Sequence, residues 1–460
     1  MTGNRPARSP ASTRATHPTR GEPATTGVSR RSVLIGALGG AGVVLGAGSL
    51  TSCVSPAAVA GGSELVRFWN LFSGGDGILM VDLINEVRQD LPDLTVQPVT
   101  LAWGAPYYTK LAMASAGGRG PEVAIMHMSR LAGYAPGGLL DPWDLDLLAE
   151  LDVSEEDFNP SVWERAQYNG EVYAIPLDTH PFIVFYNTDI AEQAGLLGPD
   201  GQMVPLDSPE AFLEAGRAMQ EITGEYGVAF GYLGGGEAWR FFWSLYPQTG
   251  AEIDLSGDEV QMDREAAVMV VEFMKQVLDG TIANPADDYP AAIASFVSGR
   301  SGMILSGEWE LPTYRDADIH FDAMPFPTIY DEPAGLGDSH SFVLPHQNNV
   351  DASRRGASHQ FVAAMLKNSL LWAKAGHIPA YQPVTETSEY AELVPQSHYV
   401  EAGEYIAFDP PAWFTGSGST FQEQMAQSLQ TTLFGGASAE EAVDQMIDQM
   451  NTFLATPNPA

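Results

Sequence analysis

The sequence predicts an α/β protein built as two lobes, each a mostly parallel sheet flanked by helices, and three observations carry this. From Leu65 to His127 the chain reads strand, helix, strand, helix, strand, the alternation that produces parallel pairing with both faces covered. The ~400 residues beyond Cys53 exceed the ~250–300 that one core organises, so two lobes are expected. A proline-bounded segment, 176–181, separates two β-rich runs and reads as a crossing between lobes rather than as a central strand.

The chain opens with a segment that belongs to neither lobe. Residues 1–52 hold six arginines and a single acid, Glu22, followed by an apolar run and small residues, the layout of an export signal. Ser29-Arg30-Arg31-Ser32-Val33-Leu34 resembles a twin-arginine signal, with Val33 where phenylalanine is usual; an ordinary charged leader of the general secretory route is the alternative. Leu50-Thr51-Ser52-Cys53 resembles a lipobox, in which the thiol is acylated and the chain is cut just before it. Cys53 is the only cysteine, so lipidation is its expected role and no internal disulfide can form. The run 33–50 is only 18 residues long and rich in Gly and Ala, and no second candidate span follows. The mature chain is therefore expected to be soluble and tethered, with 53–63 as a flexible linker and acyl chains contributing ~0.8 kcal/mol per buried methylene.

Charge excludes one class of partner. The net formal charge is −36, and without residues 1–52 it becomes −41, from 16 bases and 57 acids. Such a surface repels nucleic acid and anionic lipid. The acids are spread along the chain, as on the solvated face of a large globule, while 45% hydrophobic and 10% aromatic residues supply a core.

The elements follow in order. Leu65-Val66-Arg67-Phe68-Trp69 is a strand that stops at Asn70; the Gly-rich loop after it leads into a helix carrying Ile78, Leu79, Asp82, Leu83 and Val87, with Asp76 as its cap. A strand at 94–99, a helix at 107–116 and a short apolar strand at 123–126 come next. Strands at 172–175 and 183–186 flank the crossing. Ser208-Pro209-Glu210 supplies an N-cap, a proline at N1 and a first-turn acid for a helix reaching about Thr223. Further helices are predicted at 237–246, 264–278, 290–298, 360–374 and 420–430, and strands at 301–305 and 342–344. Ser438-Ala439-Glu440-Glu441 is a capping box that opens the last helix.

No catalytic signature accompanies these elements. His-Glu-x-x-His, Gly-x-Ser-x-Gly and a Gly-Lys phosphate loop are all missing, so no metal, cofactor or nucleotide chemistry is expected. Glu308-Trp309-Glu310 is the nearest approach to a carboxylate pair; a glycosidase needs two carboxyls ~5–10 Å apart, which leaves a secreted glycosidase as an alternative. What the chain offers instead is aromatic rings and short polar groups at strand ends: Trp69, Asn70 and Phe72 after the first strand, His127 after the third, and Asp178 and His180 in the crossing. Trp239 and Trp243 share a helical face, Glu308 and Trp309 follow a glycine, Ser339 and His340 precede a strand, and Trp413 follows Pro410-Pro411. In open α/β sheets ligands lie beyond the carboxyl ends of strands. Rings stacked on the C–H faces of a pyranose, with Asp, Asn, His and Glu on its hydroxyls, would make a sugar site. Arg130 and Arg240 are the main cations in these loops, few for a phosphate ester.

The blocks Leu65-Val66-Arg67-Phe68-Trp69-Asn70, Tyr108-Thr109-Lys110-Leu111, Gly120-Pro121-Glu122-Val123-Ala124 and Phe185-Tyr186-Asn187-Thr188-Asp189-Ile190-Ala191-Glu192-Gln193-Ala194-Gly195-Leu196 resemble the family 1 extracellular solute-binding proteins, as do Gly299-Arg300-Ser301-Gly302-Met303, Gly307-Glu308-Trp309 and Ile378-Pro379-Ala380. Glu122 departs from the aspartate usual in that family. The resemblance implies the two-lobe periplasmic-binding-protein type II fold, a mono- or oligosaccharide held between lobes joined by hinge crossings, and delivery to the permease of an ABC importer. It places ligand contacts at Trp69-Asn70, 178–180, Ser339-His340 and the Trp413 region. On this reading a monomer has its first lobe at 64–180 plus 327–374 and its second at 181–326 plus 375–460. The same fold binding a polyol phosphate or a peptide is the other alternative.

Overall fold

The structure, a computed structural model, describes residues 65–458, all within one compact unit, Ala60–Ala460. The export signal, Cys53 and the whole of the 53–63 linker lie outside the described residues. Among the described residues no helix is long and apolar enough to cross a membrane.

Two sheets organise the chain. In the first, Leu65–Asn70 is the centre of a parallel trio with Thr95–Thr100 and Val123–His127. The sequence of that third strand, Val-Ala-Ile-Met-His, is buried throughout, as a strand covered on both faces must be. His340–Pro345 adds to it antiparallel and also pairs with Leu140–Asp141 and Ala174–Pro176. The second sheet is built around Asp178–Asn187, a ten-residue strand buried end to end and antiparallel to Ser301–Gly307, Phe321–Pro325, Gly335–Asp338 and Ile378–Pro379. Parallel pairing persists there between Ser301–Gly307 and Tyr226–Ala229, and between Gly335–Asp338 and Ile406–Ala407. The expected parallel character thus holds in the βαβ opening and gives way wherever a strand has just crossed from the other sheet, because it then runs against its neighbours.

Helices cover these sheets with the faces their sequences dictate. Gly75–Asp90 buries Met80, Leu83, Ile84 and Val87, the i, i+3, i+4, i+7 stripe of a surface helix. The face read from sequence was rotated slightly, since Ile78 is 70% exposed. Asp76 lies in the first turn; the N-cap is Gly74, without a side-chain hydrogen bond. Ser208 caps Pro209–Thr223 through Oγ, 3.1 Å from the Ala211 N–H, and Ser438 with Glu441 completes the capping box of Ala439–Leu454. The helix predicted at 360–374 begins at Ala352, capped by Asp351, and breaks into Ala352–Lys367 and Leu370–Ala373. Its first turn is polar and solvated, so apolar periodicity could not reveal it.

The predicted crossing at 176–181 is where the chain changes sheets, but it is strand almost throughout. Ala174–Pro176 belongs to the first sheet, Asp178–Asn187 to the second, and Leu177 alone separates them. Pro181 is accommodated because the strand changes partners there: 178–179 pairs with 378–379 and 180–181 with 337–338, whereas beyond it the ladder runs to 303–307 and 321–325. The return crossing lies at Ser339, between Gly335–Asp338 in the second sheet and His340–Pro345 in the first. A third passage runs from Leu370–Ala373, packed on the first core, through Gly376 and His377 to Ile378 in the second sheet. Gly376 is obligatory: its φ is +108°, and a Cβ would stand 2.1 Å from the Glu308 carbonyl oxygen.

Candidate functional site

A cavity of about 410 Å³ opens beside the crossings, lined from both lobes. The loop after the first strand gives Leu71 and Ser73, and the first turn of the helix that follows gives Asp76; the helices of the other lobe give Glu237, Arg240, Tyr289, Trp309 and Glu310; and the crossing strands give His180, Asp338 and His340. His127, Trp103, Thr313 and Ser417 complete the polar and aromatic lining.

Three histidines form its floor because three strands end there. His127 and His340 are paired across adjacent strands, as are His180 and Asp338. The rings of His180 and His340 stack with centroids 4.1 Å apart, and His127 meets their edges at 5.2 and 4.6 Å. In each ring Nδ1 faces protein: Tyr108 Oη for His127 at 2.6 Å, and Asp178 for His180 and His340 at 3.1 and 2.8 Å. The Nε2 atoms have no protein hydrogen bond and are not sealed in the interior, which leaves them toward the cavity. Burial, reinforced by His340 and His180, holds His127 well below the ordinary histidine range, and burial lowers His180 likewise. Through Nε2 each ring can meet a hydroxyl of a ligand.

The wall opposite is aromatic and acidic. The Trp309 indole N–H donates to Tyr289 Oη at 3.0 Å, Tyr289 donates to Glu310 at 2.9 Å, and Thr313 Oγ1 donates to the same carboxylate at 3.0 Å. Arg240 lies 5.1 Å over the Trp309 ring and 3.2 Å from Glu237, whose second oxygen is buried without a hydrogen bond. Burial raises the carboxyl groups of Asp76, Glu237 and Glu310 above their usual range. Asp338 instead is satisfied by Ser129, Ser339 N–H and the Ser417 hydroxyl. Trp103, 46% exposed, rests against Gly418 at the rim.

Of the residues picked from sequence, His127, His180, Trp309 and His340 line the cavity. Asp178 and Glu308 lie just behind it, fully buried, and Phe72 packs on His340 and Trp372 at 4.8 and 4.7 Å. The rest lie elsewhere. Asn70 is turned inward, accepting from Thr100 Oγ1 and Phe72 N–H, and Trp69 faces a separate groove where Lys110 sits 5.0 Å over its ring. Ser339 is buried against Ser341, and Trp413 packs on the second core. Trp239 and Trp243 are core residues of a helix buried on nearly every face, stacked at 5.2 Å, with indole N–H groups bound to Asp409 and the Phe408 carbonyl. Their shared face is the signature of packing. Missed from sequence were Trp103, Glu237, Tyr289, Glu310, Thr313, Asp338 and Ser417 as lining, along with Asp76, read as a cap. Only Glu237, directly after three glycines, carried a local signal of a loop approaching a ligand.

Comparison with known proteins agrees with this architecture. The family described as bacterial extracellular solute-binding protein matches residues 81–369, well over half the chain. A maltooligosaccharide ABC transporter solute-binding lipoprotein of Streptococcus pneumoniae is 24% identical over 293 residues, 62% of this chain and 64% of that one. A maltotriose-binding protein of Pyrococcus abyssi is 24% identical over 274 residues, 58% of this chain and 54% of that one. The chain thus matches less than two-thirds of the length of either relative. Among solved structures, the GacH receptor of Streptomyces glaucescens, determined unliganded and with acarbose, superposes with a TM-score of 0.71 at 19% identity, covering 85% of this chain and 98% of that one. UgpB from Mycobacterium tuberculosis, in complex with glycerophosphocholine, gives 0.70 at 18% identity, covering 85% and 99%. At such identities the superpositions speak for the two-lobe fold, and the match over 81–369 for descent: the chain belongs to the bacterial extracellular solute-binding proteins.

Proposed function

We propose that this protein is the extracytoplasmic receptor of an ABC sugar importer, lipid-anchored through Cys53, which captures a mono- or oligosaccharide between its lobes and presents it to the permease. The observation that carries the reading is the cavity itself: three histidines on one side, Trp309 and Tyr289 on the other, and carboxyl groups between them. Imidazoles and carboxyl groups bond hydroxyls, and indole and phenol rings cover the apolar face of a pyranose. An anionic solute such as a polyol phosphate fits poorly, because Asp76, Glu237, Glu310 and Asp338 line the space and Arg240, the one arginine or lysine among its described lining residues, is already paired with Glu237. Three chain crossings at the back of the cavity would serve as the hinge, and a ligand touching both lobes stabilises the closed state by its differential affinity.

A thermal-shift screen of the chain from residue 64 against neutral sugars, amino sugars, polyol phosphates and peptides tests this. A ligand at 100 times its dissociation constant adds about 2.7 kcal/mol to stability, a clear rise in melting temperature. A rise confined to sugars, with no reducing ends released, is expected. A rise with phosphate esters or peptides alone would contradict the cargo, and sugar release would move the protein to the glycosidases.

Gly307 provides a second test that spares the core. Its φ of −78° suits any residue, yet a Cβ there would stand 2.1 Å from the Trp309 ring. Gly307→Ala should therefore displace the indole and weaken sugar binding severalfold while the protein stays folded; calorimetric titration beside wild type checks it, and unchanged affinity would remove Trp309 from the site.

A further inference from the structure

Behind the cavity floor, one residue from each of the three crossings converges on one point. Asp178 follows Leu177, His340 follows Ser339, and His377 precedes Ile378. With His180 they bring one carboxylate oxygen and three imidazole nitrogens within 4.8 Å of one another, all four residues buried. Asp178 Oδ2 is 2.8 Å from His340 Nδ1 and 3.5 Å from His377 Nδ1, and Oδ1 is 3.1 Å from His180 Nδ1. Tetrahedral ligation at ~2.0–2.1 Å puts ligand atoms roughly 3.3 Å apart, within the range of these separations.

A second observation points to a missing partner. His377 Nδ1 lies 2.8 Å from Glu308 Oε1, yet the two are not aligned for a hydrogen bond, so both nitrogens of His377 and both oxygens of Glu308 are buried without one. Buried polar atoms are nearly always satisfied, and four orphans on two touching side chains mark a place built for something else.

We propose that Asp178, His180, His340 and His377 bind a divalent transition metal, zinc by the chemistry of the set, as a structural staple across the three crossings. Three imidazoles and one carboxylate suit zinc rather than calcium or magnesium, which take oxygen ligands. Glu308 stands next to the site, its carboxyl held well above the usual glutamate range by burial and then by the neighbouring Asp178 charge. The supporting contacts are in place: the Trp372 indole N–H donates to Asp178 Oδ2 at 2.6 Å and the His340 backbone N–H to Oδ1 at 2.8 Å, while the Trp372 ring stacks on His377 at 4.3 Å. Ligation through Nδ1 fixes the proton of His180 and His340 on Nε2, toward the cavity, where it would donate to a ligand oxygen. The ion would reach its site through the cavity that His180 and His340 line. In a chain whose single cysteine rules out an internal disulfide, such a staple would hold the crossings in register.

The test uses untagged protein from residue 64, stripped with EDTA, dialysed and titrated with zinc chloride. One zinc per chain is expected, with a raised melting temperature and an X-ray absorption spectrum showing four nitrogen or oxygen ligands at ~2.0 Å with imidazole scattering. His377→Gln should lose at least a hundredfold in zinc affinity, and His398→Gln, in the partly buried pair with Asp322 and outside the cluster, should lose nothing. If His377→Gln does not fold, the wild-type absorption spectrum decides by its imidazole content. Substoichiometric zinc after dialysis, a shell without imidazole, or equal zinc in a folded His377→Gln would overturn the proposal.

Discussion

Replacing Trp309 with alanine lowers sugar affinity at least tenfold and leaves the protein folded. The side chain is half-buried and forms cavity wall rather than core, so its loss opens no sealed void. Its removal acts in three ways at once. An apolar surface is lost against which a sugar ring would pack, a contact worth about 1.5 kcal/mol and so about tenfold in affinity. Tyr289 loses the indole N–H bonded to its oxygen, and Arg240 loses the ring it lies over. Titration calorimetry of wild type and variant with the same sugar checks this, with circular dichroism as the folding control. Equal affinities would mean that the wall of the cavity does not touch the ligand.

Asp178→Ala, measured in EDTA so that no metal contributes, destabilises the fold by about 3–5 kcal/mol. This aspartate is wholly buried and accepts from the Trp372 indole, the His340 backbone N–H and the imidazoles of His180 and His340. Burial opposes its charge, but His340 and the hydrogen bonds of both histidines outweigh it, holding the carboxyl well below the usual aspartate range. Alanine strips up to four donors of their acceptor, each buried orphan costing ~1–3 kcal/mol before relaxation or water entry recovers part of it. Because those donors stand on different crossings, the damage falls on the joint between the lobes. A shift in the urea midpoint equivalent to 3 kcal/mol or more is expected; a loss under about 1 kcal/mol would mean the crossings are held by the sheets alone.

The part of this site that sequence revealed is the part that local rules place. His127 closes the third strand, His180 and His340 stand where a strand meets a crossing, and reading 176–181 as a passage between lobes places His180 and Asp178 together from sequence alone. Tryptophan at helical spacing misled, because Trp239 and Trp243 repeat as a core stripe does and nothing local says that their helix is covered on nearly all sides. Tyr289, Asp338 and Ser417 were not legible, since each reaches the cavity only through the way distant segments pack. The sheets show the same division. The parallel opening followed from βαβ order, while the antiparallel surroundings of Asp178–Asn187 depend on which later strands return beside it. His377 is the sharpest case: alone before Ile378 it carried no motif, and its meaning comes from Asp178 and His340, which lie far away in sequence.

The central claim is that the cavity between the lobes is where a sugar is held, and a crystal structure of the chain from residue 64 with the sugar that most raises its melting temperature tests it most directly. The expected result is a sugar ring against Trp309, with its hydroxyls in hydrogen-bond reach of Nε2 of His127, His180 or His340 and of the carboxylates of Asp76 or Glu310. A sugar bound anywhere else, such as the groove beside Trp69, with this cavity filled only by water, would contradict the account.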